Sequence, residues 1–366
     1  MSKLFYISDA RLPTEKAHGL AIMKQCEALA TQGVDVELVV PKRLNLLKGD
    51  PFEYYKITHR FPLTTCFTLD LIRFGYFGFL VQEATFALAA AWYLRRQEGV
   101  VYSRDDVILW ILSVFGYRHF IWESHTGGWN KAARSVVRDA KHLVVISQGL
   151  KDFYIQRGIP AEKITALPSA IDLDDFAHPE SKEVARIRLG LPRDAKIVMY
   201  IGRLDGWKGS ATLLEASKQL PPNIKVVVIG GEPGQVAMLK EAYRGVLFLG
   251  HRPYSELADN QSASDCLVVP NTGKDKISAR FTSPLKVVAH MASGRPIVAS
   301  DLPSIREITG DDAAMLVAPD DPRALAEGIK KVLAADSLGE TLTERARAKV
   351  GQYSWKSRAE RITSIL

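Results

Sequence analysis

Cysteine is scarce in this chain of 366 residues: Cys26, Cys66 and Cys266 stand far apart, with no CxxC and no Cys/His pairing at zinc spacing. That argues against a disulfide scaffold and a structural zinc site, and it fits a reducing compartment. Basic residues form no runs and do not interleave with aromatics, so nucleic acid is not expected as a partner. Internal repeats at solenoid periods and low-complexity tracts are missing, which argues against an array or a disordered chain. The opening MSKLFYISDARLP has one lysine and five mostly apolar residues before it turns polar, and it reads as a β-strand rather than a secretory leader. The most hydrophobic stretch, residues 69–96, is interrupted by Gln82 and Glu83, which leaves its uncharged runs too short for a membrane span.

What is present suits a globular protein of two domains of about 180 residues each. Hydrophobic residues make up 47% and charged residues 24% of the chain. The net charge of +7 is unevenly placed: of 48 Lys/Arg and 41 Asp/Glu, 22 and 21 precede residue 186, leaving 26 and 20 for the second half. An excess of six cations there, without runs, points to an anionic small ligand.

Periodicity gives the architecture. The strand Leu4–Ser8 is followed by LAIMKQCEALATQG, in which Ile22, Met23, Cys26, Leu29 and Ala30 share one helical face, and then by the strand VDVELVVP. This βαβ opening predicts a parallel sheet. GVVYSR, HFIWES and LVVIS continue it as short apolar runs of the buried kind. A second series, KIVMYIG, KVVVIGG, VLFLG, CLVVP and PIVAS, starts near Lys196. HPESKEVARIRLGLPRD, charged and carrying two prolines, is expected to join the halves. Two doubly wound α/β domains would bind ligand at the carboxyl ends of their strands. Residues 69–96 are expected to form a buried helix; the other reading, kept open by Phe74, Tyr76, Phe77 and Phe79, is a surface that touches a membrane or a lipid-linked acceptor.

Two motifs carry chemistry. In Gly202-Arg203-Leu204-Asp205-Gly206-Trp207-Lys208-Gly209 a strand ends on glycine, an arginine follows at once, and a lysine stands at the entry to a helix. Two long cations at a helix N-terminus suit a pyrophosphate, although the pattern alone also describes a solvated turn. In Phe281-Thr282-Ser283-Pro284-Leu285-Lys286, Ser283 is expected as N-cap and Pro284 as first helical residue, so that free backbone amides face an anion.

GRLDGWKG, followed some 75 residues later by TSPLK…MASGRPIVASDLPSIRE, resembles the donor-binding half of the family 4 glycosyltransferases. KAHG before the first long helix, WESH at 122–125, VVISQGLKDF…GIPAEKITALPSAIDLDDF at 144–176 and YSWKSRAERI at 353–362 extend the resemblance over nearly the whole chain. It implies the GT-B fold: two Rossmann-like doubly wound α/β domains facing a cleft, with a C-terminal helix crossing back to the first. The expected division is 1–185 for the acceptor-binding domain, 186–350 for the nucleotide-sugar domain and 351–366 for the returning helix. The resemblance further implies a retaining transfer of sugar from a nucleotide diphosphate to a glycan or lipid-linked acceptor. No bound metal and no cofactor are implied, and the resemblance implies a cytoplasmic enzyme in peripheral contact with the inner face of the membrane.

Residue by residue, Arg203 and Lys208 match the family's pyrophosphate cations, and Ser283, Pro284 and Leu285 match the loop whose amides meet the distal phosphate. Gly19 matches the N-terminal glycine loop, His125 the histidine near the transferred sugar, and Arg252 and Pro253 the segment that holds the base. Glu123 is expected on the opposite face of its strand, as a structural residue. The Asp-x-Asp in DLDDF, 172–176, falls in the family's interdomain region and is not expected to hold a metal. One departure stands out: Ala289 and Phe281 occupy the positions of the family's two glutamates, the second of which accepts hydrogen bonds from the ribose. Either His290 or another residue compensates, or the donor is bound differently, or turnover is weak; a sugar-nucleotide-binding protein without turnover is the alternative function.

Overall fold

Runs of valine, isoleucine and leucine with no polar alternation become parallel strands in both halves of the chain, as strands covered on both faces must. The computed structural model describes residues 3–366. In the first half, β1 (Lys3–Ile7), β2 (Val36–Pro41), β3 (Leu63–Cys66), β4 (Gly99–Ser103), β5 (Phe120–Ser124), β6 (His142–Val145) and β7 (Ile164–Ala166) form one parallel sheet in the order β3-β2-β1-β4-β5-β6-β7. Leu4 pairs with Val36 on one side and Val100 on the other. The order reverses between β1 and β4, so the chain leaves their carboxyl ends on opposite sides and opens a crevice there. The helix Ala17–Thr31 buries Ile22, Met23, Cys26 and Leu29 against Leu4, Tyr6, Leu38 and Tyr102, the face anticipated from periodicity.

The second half repeats the plan. Its strands β8 (Lys196–Ile201), β9 (Ile224–Ile229), β10 (Leu247–Gly250), β11 (Cys266–Val269), β12 (Ile297–Ser300) and β13 (Met315–Val317) run parallel in the order β10-β9-β8-β11-β12-β13. Here the order reverses between β8 and β11.

The division between the two units comes earlier than the expected 185/186. The first unit runs through Ile146 and adds Leu150–Leu167 and Trp355–Leu366; the second comprises Ser147–Gly149 and Pro168–Ser354. The supposed join is an element of the second unit. Its helix Lys182–Leu189 is capped by the Ser181 hydroxyl, which accepts from the Val184 amide. Ala185, Leu189 and Leu191 pack with Ile197 and Met199, and buried Arg186 pairs with Asp265 at 2.6 Å and donates to the carbonyls of Ala263 and Arg193. At the other end, Gly351–Ser354 stays with the second unit, and the returning segment starts at Trp355. Its helix Trp355–Thr363 packs on Ala17–Thr31 and puts Ala359 and Ile362 into the first unit's core.

The hydrophobic stretch forms the helix Gly75–Leu94, and it is not simply buried. Gly78, Gln82, Glu83, Phe86, Ala87, Ala90 and Leu94 face inward, while Phe77, Leu88 and Trp92 are exposed.

Candidate functional site

In the second unit, β8 delivers the chain into the cationic loop. Tyr200, in the strand, donates its hydroxyl to the Arg203 carbonyl at 2.6 Å and so fixes the turn. The Arg203 side chain is 84% exposed, with its Nε 3.2 Å from Asp205. Lys208 lies over the Trp207 ring at 3.4 Å. Gly209, at φ +71°, leads into the helix Ser210–Ser217, and a Cβ there would overlap the Pro270 carbonyl, so only glycine makes this passage.

A third cation joins them. Lys286 extends from the helix Leu285–Ala292 to within 4.6 Å of the Tyr200 ring centre, and its buried Nζ has no hydrogen-bond partner. Burial, with the neighbouring Lys208 charge adding to it, pushes the Lys286 ammonium down to about 7. Burial likewise brings Lys208 down to about 8, with Arg203 contributing. Two lysines brought together at the cost of their own charge, beside an exposed arginine, form a pocket of positive potential that an anion would complete.

The Ser283–Leu285 segment differs from expectation in its details. The helix starts at Leu285, with Pro284 as N-cap and no side-chain cap. Ser283 does not cap because its hydroxyl is taken: it accepts from the Ser169 amide at 2.8 Å, while Ser169 Oγ donates to the Ser283 carbonyl at 3.2 Å. The hydroxyl secures a neighbouring loop, and the amide-bearing helix end remains next to Lys286. Arg252 and Pro253 follow β10, as the motif order requires, and Arg252 Nε is buried without a partner.

Ala289 lies on the same helix, one turn beyond Lys286, buried with Val269, Val287 and Leu302. His290 does not replace the missing carboxylate. Its Nδ1 takes a hydrogen bond from Gln261 Nε2 at 2.8 Å, and burial, with Lys286, pushes its pKa to about 3, which keeps it neutral. The glutamate's absence leaves Lys286 with no countercharge on its own helix face. Among the described residues, no three His, Cys, Asp or Glu side chains gather at metal-binding distances, the 172–175 aspartates included.

In the first unit, Gly19 proves to be the third residue of the helix Ala17–Thr31 and not a loop residue. A Cβ there would overlap the Tyr55 hydroxyl and the Thr14 methyl. That hydroxyl accepts from the Thr14 amide at 2.6 Å and donates to its carbonyl at 2.8 Å, so packing against this clasp already demands glycine.

His125 follows the end of β5. Glu123 is its closest partner and not a residue of the opposite face: Nε2 lies 2.6 Å from Glu123 Oε1. Residues two apart on an extended chain share a face, which the sequence reading overlooked. The fully buried carboxylate also meets Arg104 at 3.2 Å, Arg358 at 2.8 Å and the Tyr102 hydroxyl. Burial alone would raise its pKa, but the two guanidiniums outweigh that and hold Glu123 well below the usual carboxylate range. His125 is shifted down, mainly by burial and secondarily by Arg104, against the pull of Glu123. An ionised carboxylate can only accept, so the neutral imidazole donates from Nε2 and presents Nδ1 as an acceptor. Arg358 comes from the C-terminal helix and also donates to Gln25 Oε1 at 3.1 Å and the Leu167 carbonyl at 2.5 Å, tying that helix to the histidine's support.

Comparison with known proteins agrees with both halves of this description. Residues 21–175 match the family model described as Glycosyltransferase Family 4, and residues 195–335 match that described as Glycosyl transferases group 1. The chain belongs to the family 4 glycosyltransferases. A D-inositol 3-phosphate glycosyltransferase of Xylanimonas cellulosilytica is 30% identical over 223 residues, covering 57% of this chain and 52% of that protein. A phosphatidyl-myo-inositol mannosyltransferase of Mycobacterium tuberculosis is 31% identical over 213 residues, 54% and 52% of the two chains. The chain thus spans about half the length of the curated relatives it matches. Among solved structures, Anabaena HepE in complex with UDP-glucose superposes with a TM-score of 0.76 at 17% identity, over 100% of this chain and 99% of that one. At that identity the likeness speaks to the fold, which is the GT-B pair of Rossmann-like domains.

Lys286 and Arg358, like Arg104 and Tyr102 beside Glu123, have a part in these clusters that the sequence motifs do not reveal. Lys286 stands inside the quoted TSPLK motif, where no role was assigned to it. Arg358 is 155 residues from Arg203 and 233 from His125 in sequence, and only the fold brings it to Glu123.

Proposed function

We propose that the protein transfers a sugar from a nucleotide diphosphate donor to a hydroxyl of a glycan or lipid-linked acceptor, with retention of anomeric configuration and without a metal ion. The observation that carries this reading is the cluster of Arg203, Lys208 and Lys286, in which a buried ammonium has no partner of its own. A diphosphate supplies the missing negative charge. The cations and the amides at the start of the helix Leu285–Ala292 then stabilise the leaving group, the task a divalent ion performs in metal-dependent transferases.

In the reaction the bond from the anomeric carbon to the donor phosphate oxygen breaks as that carbon bonds to the acceptor oxygen. The acceptor proton passes to the departing phosphate on the same face. No side-chain nucleophile is needed. Neutral His125 takes part as a hydrogen-bond acceptor for a sugar hydroxyl through Nδ1, and Gly19 lines the donor approach. Ser283, Pro284 and Leu285 set the phosphate-facing helix end, and Arg252 and Pro253 hold the base. The UDP-glucose in the HepE complex supports a uridine donor as the first to test. The mannosyltransferase named above supports a lipid-linked acceptor. Three buried free thiols fit a cytoplasmic location.

The experiment is incubation with a panel of UDP-, GDP- and ADP-sugars, with and without acceptor mixtures, followed by detection of released nucleoside diphosphate. Release with at least one donor is expected. Binding without release from any donor in every mixture would favour a sugar-nucleotide-binding protein instead.

A further inference from the structure

A group of carboxylates that the donor chemistry does not use gathers at one place in the first unit. Ile7 of β1 pairs with Ser103 of β4, and two residues beyond that pair Asp9 and Asp105 follow their strands out of the sheet. The strand order reverses between β1 and β4, so both aspartates stand at the crevice where a doubly wound domain takes its ligand. The Asp9 amide donates to Asp105 Oδ2 at 3.0 Å and ties the two loops together. Asp106 opens the helix Asp106–Val114 and accepts from Asn130 Nδ2 at 3.3 Å. The helix Gly75–Leu94 brings Gln82 and Glu83 to the same group.

Packing alone does not explain Glu83. It is only 6% exposed, and its Oε2 meets no donor. Burial, with the charges of Asp9, Asp105 and Asp106 adding to it, pushes the Glu83 carboxyl up to about 7. At Asp105 burial outweighs the Asp9 hydrogen bond and brings the carboxyl up to about 6. Gln82 adds an independent sign. It is fully buried, and its Nε2 donates to Asp9 Oδ1 at 2.5 Å, yet Oε1 of the same amide has no donor. A buried acceptor left without a donor costs about 1–3 kcal/mol. The neighbouring cations are engaged elsewhere: Arg43 lies 3.5 Å from Asp70, and Arg104 lies 3.2 Å from Glu123.

The group therefore lacks both donors and positive charge. A metal ion would need at least three of these oxygens drawn in to about 2.0–2.6 Å, and among the described residues no such set gathers. A sugar hydroxyl donates one hydrogen and leaves the repulsion between carboxylates in place. An ammonium brings three N–H donors and a full positive charge, and charge-assisted bonds to carboxylates are the strong ones. Carried on a sugar ring, it enters on a frame large enough to meet groups that are too far apart to share a metal.

We propose that Asp9, Glu83 and Asp105, with the Gln82 amide oxygen, bind a protonated primary amine of the acceptor, which makes that acceptor an amino sugar with an unacetylated nitrogen. The inference rests on the transferase reading for the acceptor's role, but its test needs no turnover. The full chain is titrated, in chelator, with hexosamines that differ in the position of the amine, and with the N-acetylated and hydroxyl counterpart of each, read by ligand-observed NMR. At least one amino sugar should bind about tenfold or more tighter than both of its counterparts. Glu83→Gln should remove most of that preference, and so should Asp105→Asn, which keeps an acceptor for the Asp9 amide. Both substitutions are nearly isosteric and should leave the melting temperature no lower and the nucleoside diphosphate affinity unchanged. Neutral or N-acetylated sugars that bind as well as every amine, or a preference that survives in both variants, would overturn the proposal. If UDP or GDP still binds in that case, the donor site stands and only this inference falls. An amine preference in a protein that neither binds nor releases a nucleoside diphosphate would support the amine site and remove the transferase reading instead.

Discussion

Replacing Lys286 by methionine should make the protein more stable and worse at holding a diphosphate. Burial holds this ammonium at about 7 against 10.5 for a free lysine. At 1.36 kcal/mol per pH unit, that difference of about 3.5 is on the order of 5 kcal/mol. The folded pKa is below the unfolded one, so the unfolded chain binds more protons between the two values. The penalty is therefore complete below about pH 7 and is relieved as pH rises toward 10.5. Lys286→Met keeps most of the side-chain volume and removes the penalty. For a unit of this size, where 1 kcal/mol moves Tm by about 2–4 °C, the gain at pH 6 should be on the order of 10 °C and should fade at alkaline pH. The same change removes a charge-assisted contact to phosphate worth about 1.5–3 kcal/mol, so UDP or GDP affinity should fall roughly 10- to 150-fold. Calorimetric melting across pH and isothermal titration measure the two effects. A lower Tm at pH 6, or unchanged affinity for every nucleoside diphosphate, would refute the account of Lys286 as a cation held in reserve for the donor.

The two partly neutral lysines should also make binding pH-dependent: an arriving diphosphate raises their pKa values, so affinity should be flat below about pH 7 and fall as pH rises through 7 to 8, with net proton uptake seen when titrations are compared across buffers. Arg203→Ala and Lys208→Ala should each cost roughly 2 to 4 kcal/mol in transition-state stabilisation with unchanged melting of the first unit, read from kcat/KM for the active donor. Ala289→Glu puts a carboxylate one turn from Lys286 and should raise that lysine's pKa, flatten the pH dependence and tighten donor binding by about tenfold above pH 8; weaker binding at every pH would mean that the pocket has closed around the small side chain. Arg358→Met removes a cation from the Glu123 cluster, so the His125 ring should titrate at higher pH by NMR, and an unchanged titration would disconnect the C-terminal helix from the histidine.

Much of the fold was legible because buried parallel strands announce themselves: Leu38-Val39-Val40 and Val226-Val227-Val228 are too apolar for anything but a covered sheet. The join was misread because Lys182–Leu189 has the charge content of a linker. Its buried arginine is explained by Asp265, 79 positions away, and local composition holds no trace of that pairing. Glu123 was a different kind of miss, since the two-residue period of a strand already put it beside His125. Lys286 had a signal as well. A lysine whose usual helical neighbour, one turn on, has become alanine has lost its countercharge, and Ala289 was noticed for the ribose without being referred to the lysine. The outward face of Gly75–Leu94 could not be read from hydrophobicity alone, because a helix apolar on all sides gives no period from which to tell the covered face from the bare one.

The central claim is that Arg203, Lys208 and Lys286 hold the donor diphosphate without a metal, and titration of UDP and GDP in the presence of a chelator tests it most directly. The account predicts binding by the parent protein in chelator and its loss when Arg203→Ala and Lys208→Ala are combined. Binding that appears only when magnesium or manganese is restored, or that survives unchanged in the double variant, would contradict it.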